Sequence, residues 1–132
     1  MKKSIICTIF FCFLGLLAFS QEKQHIAALG QDNPNASYRL YPTTNMWTFL
    51  KLNTEDGRIW QVQYSMVDEN RFETYLNAFP LATGSDKKPG RFTLYPTQNM
   101  WTFILLDTIK GSTWQVQWSL DADKRGILPI SN

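Results

Sequence analysis

The chain has 132 residues, with 13 basic and 11 acidic side chains, one histidine and two cysteines, so its formal charge is only +2. That balance gives no electrostatic footprint for nucleic acid or an anionic membrane. A single histidine also leaves no basis for a His-based metal site or a Ser–His–Asp arrangement.

Residues 1–20 read as an export signal. Lys2 and Lys3 form a positive start, Ile5 to Phe19 is apolar apart from Thr8, and Ala18-Phe19-Ser20 offers small residues for cleavage before Gln21. The apolar run is short for a membrane span, so no membrane insertion is expected after cleavage. Cys7 and Cys12 leave with the signal, and the remaining chain has no thiol or disulfide chemistry. Losing Lys2 and Lys3 brings the basic residues to 11 against 11 acidic ones. The expected location is exported: periplasmic, cell-surface or extracellular. Residues 21–37, which include His25, are polar and form a lead before the domain.

From Tyr38 onward the sequence is written twice. Leu40-Tyr41-Pro42-Thr43-Thr44-Asn45-Met46-Trp47-Thr48-Phe49 returns 54 positions later as Leu94-Tyr95-Pro96-Thr97-Gln98-Asn99-Met100-Trp101-Thr102-Phe103, and Trp60-Gln61-Val62-Gln63 returns as Trp114-Gln115-Val116-Gln117. Tyr38–Met66 and Phe92–Leu120 align without a gap, with 17 of 29 positions identical. A fixed period of this size marks a duplicated supersecondary unit. The repeats span 38–79 and 92–132, joined by a linker at 80–91.

Each repeat reads as a meander of about four antiparallel strands. In the first, Tyr38–Tyr41 is stopped by Pro42, Met46–Asn53 alternates, Thr54–Gly57 turns, Ile59–Met66 returns, and Arg71–Leu76 makes the fourth strand. Gly126–Ile130 is the matching last strand of the second repeat, and Pro129 places it at an edge. Setting Asn53 opposite Arg58 pairs Phe49 with Val62, Trp47 with Tyr64 and Lys51 with Trp60. The second repeat then pairs Phe103 with Val116, Trp101 with Trp118 and Leu105 with Trp114. One face of each hairpin carries the aromatics. The expected fold is all-β: two tandem meanders packed as a sandwich or a small barrel, with both aromatic faces in a common core that includes Trp60, Trp114, Phe49 and Phe103.

The pattern LYPTxNMWTF…LDT…G..WQVQWS resembles a family of small exported bacterial proteins that carry this unit twice. The resemblance implies a secreted all-β repeat protein and supplies no catalytic residues. In the first repeat the Leu-Asp-Thr of the pattern stands as Leu52-Asn53-Thr54, whereas the second keeps Leu106-Asp107-Thr108.

Acidic clusters at Asp68/Glu69 and Asp121/Asp123 fall at equivalent turns. They could pair carboxylates for glycoside hydrolysis, but acidic residues between strands are ordinary solvated turn formers. They also fall short of the roughly six to eight oxygens that Ca²⁺ takes. No catalytic residue, metal or cofactor is expected. The binding candidates are Tyr41 and Tyr95 beside their prolines, Asn45 and Asn99 in the following loops, and the Gln-x-Gln pairs Gln61/Gln63 and Gln115/Gln117 opposite the aromatic faces. Rings suit the apolar faces of sugars and amides suit hydroxyls. The sequence therefore points to an exported, non-enzymatic binding module for a glycan or another cell-envelope component. The alternative is a protein–protein interaction module: an inhibitor, an adaptor or a self-assembling subunit.

Overall fold

The computed structural model describes residues 33–130; the expected signal, most of the lead and the last two positions lie outside them. The described chain from Pro34 forms one compact unit built of eight strands in two antiparallel sheets, each in simple meander order and neither closed into a barrel. The first sheet holds β1 (Tyr38–Pro42), β2 (Thr48–Asn53), β3 (Ile59–Gln63) and β4 (Phe72–Asn77). The second holds β5 (Phe92–Pro96), β6 (Thr102–Asp107), β7 (Thr113–Gln117) and β8 (Gly126–Pro129). There is no α-helix among the described residues, only single 3-10 turns at Asp68–Asn70, Gly84–Asp86 and Ala122–Lys124.

The register is the expected one. Phe49 faces Val62 and Lys51 faces Trp60, while Phe103 faces Val116 and Leu105 faces Trp114. Beyond the strand ends, the Trp47 carbonyl accepts from the Tyr64 N–H, and the Trp101 carbonyl accepts from the Trp118 N–H. The hairpins close at Gly57 and Gly111, whose φ values of 81° and 77° are natural only for glycine. The Gly57 N–H reaches the Asn53 carbonyl, and the Gly111 N–H the Asp107 carbonyl. Pro129 does lie on an edge strand. A bulge in β4 opposite Ile59 and Trp60 leaves Leu76 out of the ladder and turns it into the core.

The stacking of the sheets differs from expectation. We call the aromatic side of each sheet its front and the Gln-x-Gln side its back. A sandwich with both fronts inward would bury equivalent residues in both repeats. Instead the core joins Leu50, Leu52, Ile59 and Leu76 from the back of the first sheet to Phe92, Leu94, Phe103, Leu105, Val116 and Trp118 from the front of the second. The two repeats are therefore packed front to back, in the same orientation. Phe103 is a core residue as expected and Trp114 packs against the core. Trp60 and Phe49 instead lie half-buried on the open front of the first sheet. The physical reason is that both sides of each hairpin are apolar enough to pack. The back of the first sheet, with Leu50, Leu52 and Ile59, is a good hydrophobic surface in its own right.

Side-chain hydrogen bonds lock this arrangement. Thr54, at the first hairpin turn, donates from Oγ1 to the Ala36 carbonyl at 2.7 Å and accepts from the Gly90 N–H at 3.0 Å, while its own carbonyl accepts from the Phe92 N–H at 2.8 Å. One buried residue thus ties the beginnings of both repeats together. At the second turn Asp107 receives Arg91 through two parallel bonds, Nε to Oδ1 at 3.0 Å and Nη2 to Oδ2 at 2.7 Å, with both side chains buried. In the first repeat these positions are Asn53 and Ser37. The Asn/Asp difference between repeats is therefore a difference in packing: a charged buried pair in one, and in the other a buried Asn53 whose Oδ1 accepts from the Glu55 N–H, beside an exposed Ser37.

Candidate functional site

The Tyr-Pro-Thr-x-Asn loops are built from within. Asn45 Oδ1 accepts from the Trp47 N–H, and Asn99 Oδ1 from the Trp101 N–H, both at 2.9 Å. Thr43 Oγ1 donates to the Thr48 carbonyl and Thr97 Oγ1 to the Thr102 carbonyl, both at 2.8 Å. These are Asx- and ST-type turns, which fix the direction in which each tryptophan leaves the loop. The amide oxygens of Asn45 and Asn99 are thereby engaged in the backbone of their own turns.

The remaining candidates fall into two groups. Tyr41 packs against the core, and its hydroxyl lies 3.3 Å from Thr93 Oγ1 of the second sheet. Gln61 is fully buried between the sheets, where its Oε1 accepts from the Ser119 N–H at 3.2 Å. That donor fixes the amide orientation, since a flip would set two donors against each other. Gln63 is half-buried beside it. By contrast, Tyr95, Gln115 and Gln117 come together on the open back of the second sheet. Tyr95, Ile104, Gln115 and Leu128 form one cross-strand row, and Gln115 and Gln117 line a shallow cleft of about 330 Å³ with Gly126, Leu128 and the Asp123–Arg125 turn. The cleft exists because Gly126 stands where the first repeat has Phe72.

A second open surface, on the front of the first sheet, is richer in large side chains. Tyr38, Trp60 and Tyr75 form one ring cluster, with centroids 6.2 and 5.1 Å apart; Trp47, Tyr64 and Phe49 form another at 5.3 and 6.2 Å. The cross-strand rows are Leu40-Lys51-Trp60-Tyr75 and Pro42-Phe49-Val62-Glu73. Lys51 Nζ lies 2.6 Å from Glu73 Oε2 and 4.8 Å from the Trp60 ring centre, so the face carries one ion pair laid across its aromatics. Sequence reasoning placed Trp60 and Phe49, with the hairpin face that also carries Trp47 and Tyr64, in the core. The signal for their exposure is that Lys51 stands where the second repeat has Leu105, and Glu73 where it has Ile127.

The open front differs from its buried counterpart mainly in what covers it. Tyr38 is 53% exposed and Leu40 50%, while their counterparts Phe92 and Leu94 are 1% and 3% exposed. No group of three or more His, Cys, Asp or Glu side chains arranged to hold a metal occurs among the described residues. Comparison with protein-family models, curated proteins and solved structures finds no match to this chain.

Proposed function

We propose that this protein is an exported, non-enzymatic interaction module that docks a protein partner on the aromatic front of its first sheet. The supporting observation is the contiguous, half-exposed set of Tyr38, Leu40, Trp47, Tyr64 and Tyr75 on one sheet face. Apolar patches of this kind mark association surfaces, and tyrosine and tryptophan supply much of the binding energy where proteins meet. A sugar platform sets rings beside amides in a concavity. Here the polar groups in the central rows are Lys51 and Glu73, which already hold each other. Export rests on the leader expected at residues 1–20.

A photo-cross-linking amino acid placed at Leu40 in the exporting cell tests this reading. The expected result is a discrete protein adduct that the same probe at the exposed linker residue Lys88 does not give. Absence of any protein adduct from Leu40, or identical adducts from both positions, would end it.

The cleft on the back of the second sheet favours one other reading, a glycan site formed by Gln115, Gln117 and Tyr95. Calorimetric titration with a glycan panel should then give at least one saturable isotherm, weakened about tenfold by Gln117→Ala through loss of a hydrogen bond to a sugar hydroxyl. Unsaturable heats across the panel would dismiss it.

A further inference from the structure

The front-to-back packing leaves the molecule with two unlike open faces, and each is a copy of a face buried inside it. The open front of the first sheet corresponds to the buried front of the second at the 54-position offset, with Lys51 and Glu73 in place of Leu105 and Ile127 as its main departures. Leu40, Phe49, Trp60, Val62 and Tyr64 stand for Leu94, Phe103, Trp114, Val116 and Trp118. The open back of the second sheet matches the buried back of the first, with Thr102, Ile104, Leu106 and Gln115 standing for Thr48, Leu50, Leu52 and Gln61. The interface within the chain is thus a template for a second interface between chains.

We propose that the partner on the aromatic front is a second copy of this chain, which lays the back of its second sheet on the front of the first sheet by the same operation that stacks the two repeats. This rests on the docking surface proposed above and names its occupant. The bond that bridges the repeats has a ready counterpart. Ser119 N–H meets Gln61 Oε1 inside the chain, and Ser65 and Gln115 hold the equivalent positions for the contact between chains. The loops bearing the two serines are held alike: Arg125 Nε donates to the Ser119 carbonyl at 2.8 Å, and Arg71 Nη1 to the Ser65 carbonyl at 3.2 Å.

The cleft on the back of the second sheet is also complementary. Inside the chain Arg125 stacks 5.4 Å from the ring centre of Phe72. Between chains the equivalent Arg71 meets the cleft over Gly126, whose lining includes Asp123. Lys51 and Glu73 enter the contact as a pair, which offsets part of the cost of removing them from water.

Such a contact is heterologous: each added copy presents the same two faces again, so the assembly grows until it closes into a ring or runs on as a fibre. Four-stranded sheets stacked face to face about an axis close at about four to eight sheets. Two to four copies of a two-sheet chain would supply that number.

The test is the mass of the exported protein in solution, measured by light scattering over a concentration series. Leu40→Glu/Tyr64→Glu blocks the front, and Gln115→Arg/Leu128→Arg blocks the back; these sites are exposed or half-exposed, and a cooperative melt of each variant confirms its fold. The wild type is expected to be a discrete multiple of the chain mass or a fibre. Each variant alone should run at the mass of one chain, and an equimolar mixture of the two should form a capped dimer. A wild type that stays at one chain mass overturns the stacking, while a protein adduct from Leu40 to a different polypeptide would leave the docking surface standing. Self-association of the back variant alone also overturns it, since that would be a front-to-front dimer. If either variant fails to melt cooperatively, cross-linking from Leu40 decides: an adduct mapped to the Gln115 face of another copy supports the stack, and any other adduct rejects it.

Discussion

Replacing Trp118 by alanine is expected to destabilise the protein by about 3–5 kcal/mol, whereas Tyr64→Ala, at the equivalent position of the first repeat, should cost about 1 kcal/mol in the monomer. Trp118 has no solvent exposure, packs against Trp101 with ring centres 4.5 Å apart, and donates its indole N–H to the Met100 carbonyl at 2.9 Å. Its loss leaves a large cavity between the sheets and an unsatisfied carbonyl. Tyr64 is 44% exposed and leans on Trp47 and Phe49, so its removal forfeits mainly those ring contacts. Urea unfolding of the two variants at low protein concentration checks the difference. Equal losses would mean that both fronts are buried alike, which is the sandwich that the front-to-back stack excludes.

The second large effect is expected at the buried Arg91–Asp107 pair. Asp107→Asn should lower the melting temperature by at least about 10 °C, because it leaves the Arg91 guanidinium buried without its counter-charge. The first repeat shows the remedy: it carries Asn53 and Ser37 at the same positions. Arg91→Ser/Asp107→Asn should therefore recover a large part of the loss, because it removes the unpaired charge and keeps an oxygen to accept from the Ile109 N–H, as Asn53 Oδ1 accepts from the Glu55 N–H at the other turn. Hydrogen bonds from Arg91, and then from the Lys110 and Ile109 N–H groups, hold the Asp107 carboxyl below the usual carboxylate range against the opposing effect of burial. A depressed carboxylate contributes stability in full above its unfolded value near pH 4 and loses it as pH falls through the lower folded value. The melting-temperature gap between wild type and Asp107→Asn should hence be constant above about pH 5 and shrink only below about pH 4. A gap that instead closed towards neutral pH would show that the pair does not act through the ionised carboxylate.

Much of the fold was legible in the sequence because it depends on local periodicity. The repeat, the meander order, the hairpin register and the glycine turns all follow from alternation and turn chemistry within about twenty residues. The pairing of faces across the two sheets does not. It is decided by which of two apolar surfaces finds the better complement, and Leu50, Leu52 and Ile59 win against Trp60 and Phe49 although the aromatic set is larger. Only the substitutions of Lys51 for Leu105 and Glu73 for Ile127 betray which front stays uncovered within the single chain.

The candidate binding residues divide along the same line. The turn chemistry of Asn45 and Asn99 is readable from Pro-Thr-x-Asn itself. The burial of Gln61 is not, because an amide alternating along a strand looks solvated until a second sheet covers it. Gln115 has the same local sequence and a different environment, so the fate of each copy is set by its neighbour alone.

The shared orientation of the two sheets bears on how such a chain can lengthen. A pair of repeats meeting front to front uses up its only adhesive surfaces, and a third duplicate would find nothing to hold. Here a duplicated unit inherits a donor side and an acceptor side, and the last unit always offers what the next one needs. Gene duplication in this lineage could append units in register without any new interface having to be invented, much as a monomer with two unlike ends adds to a polymer.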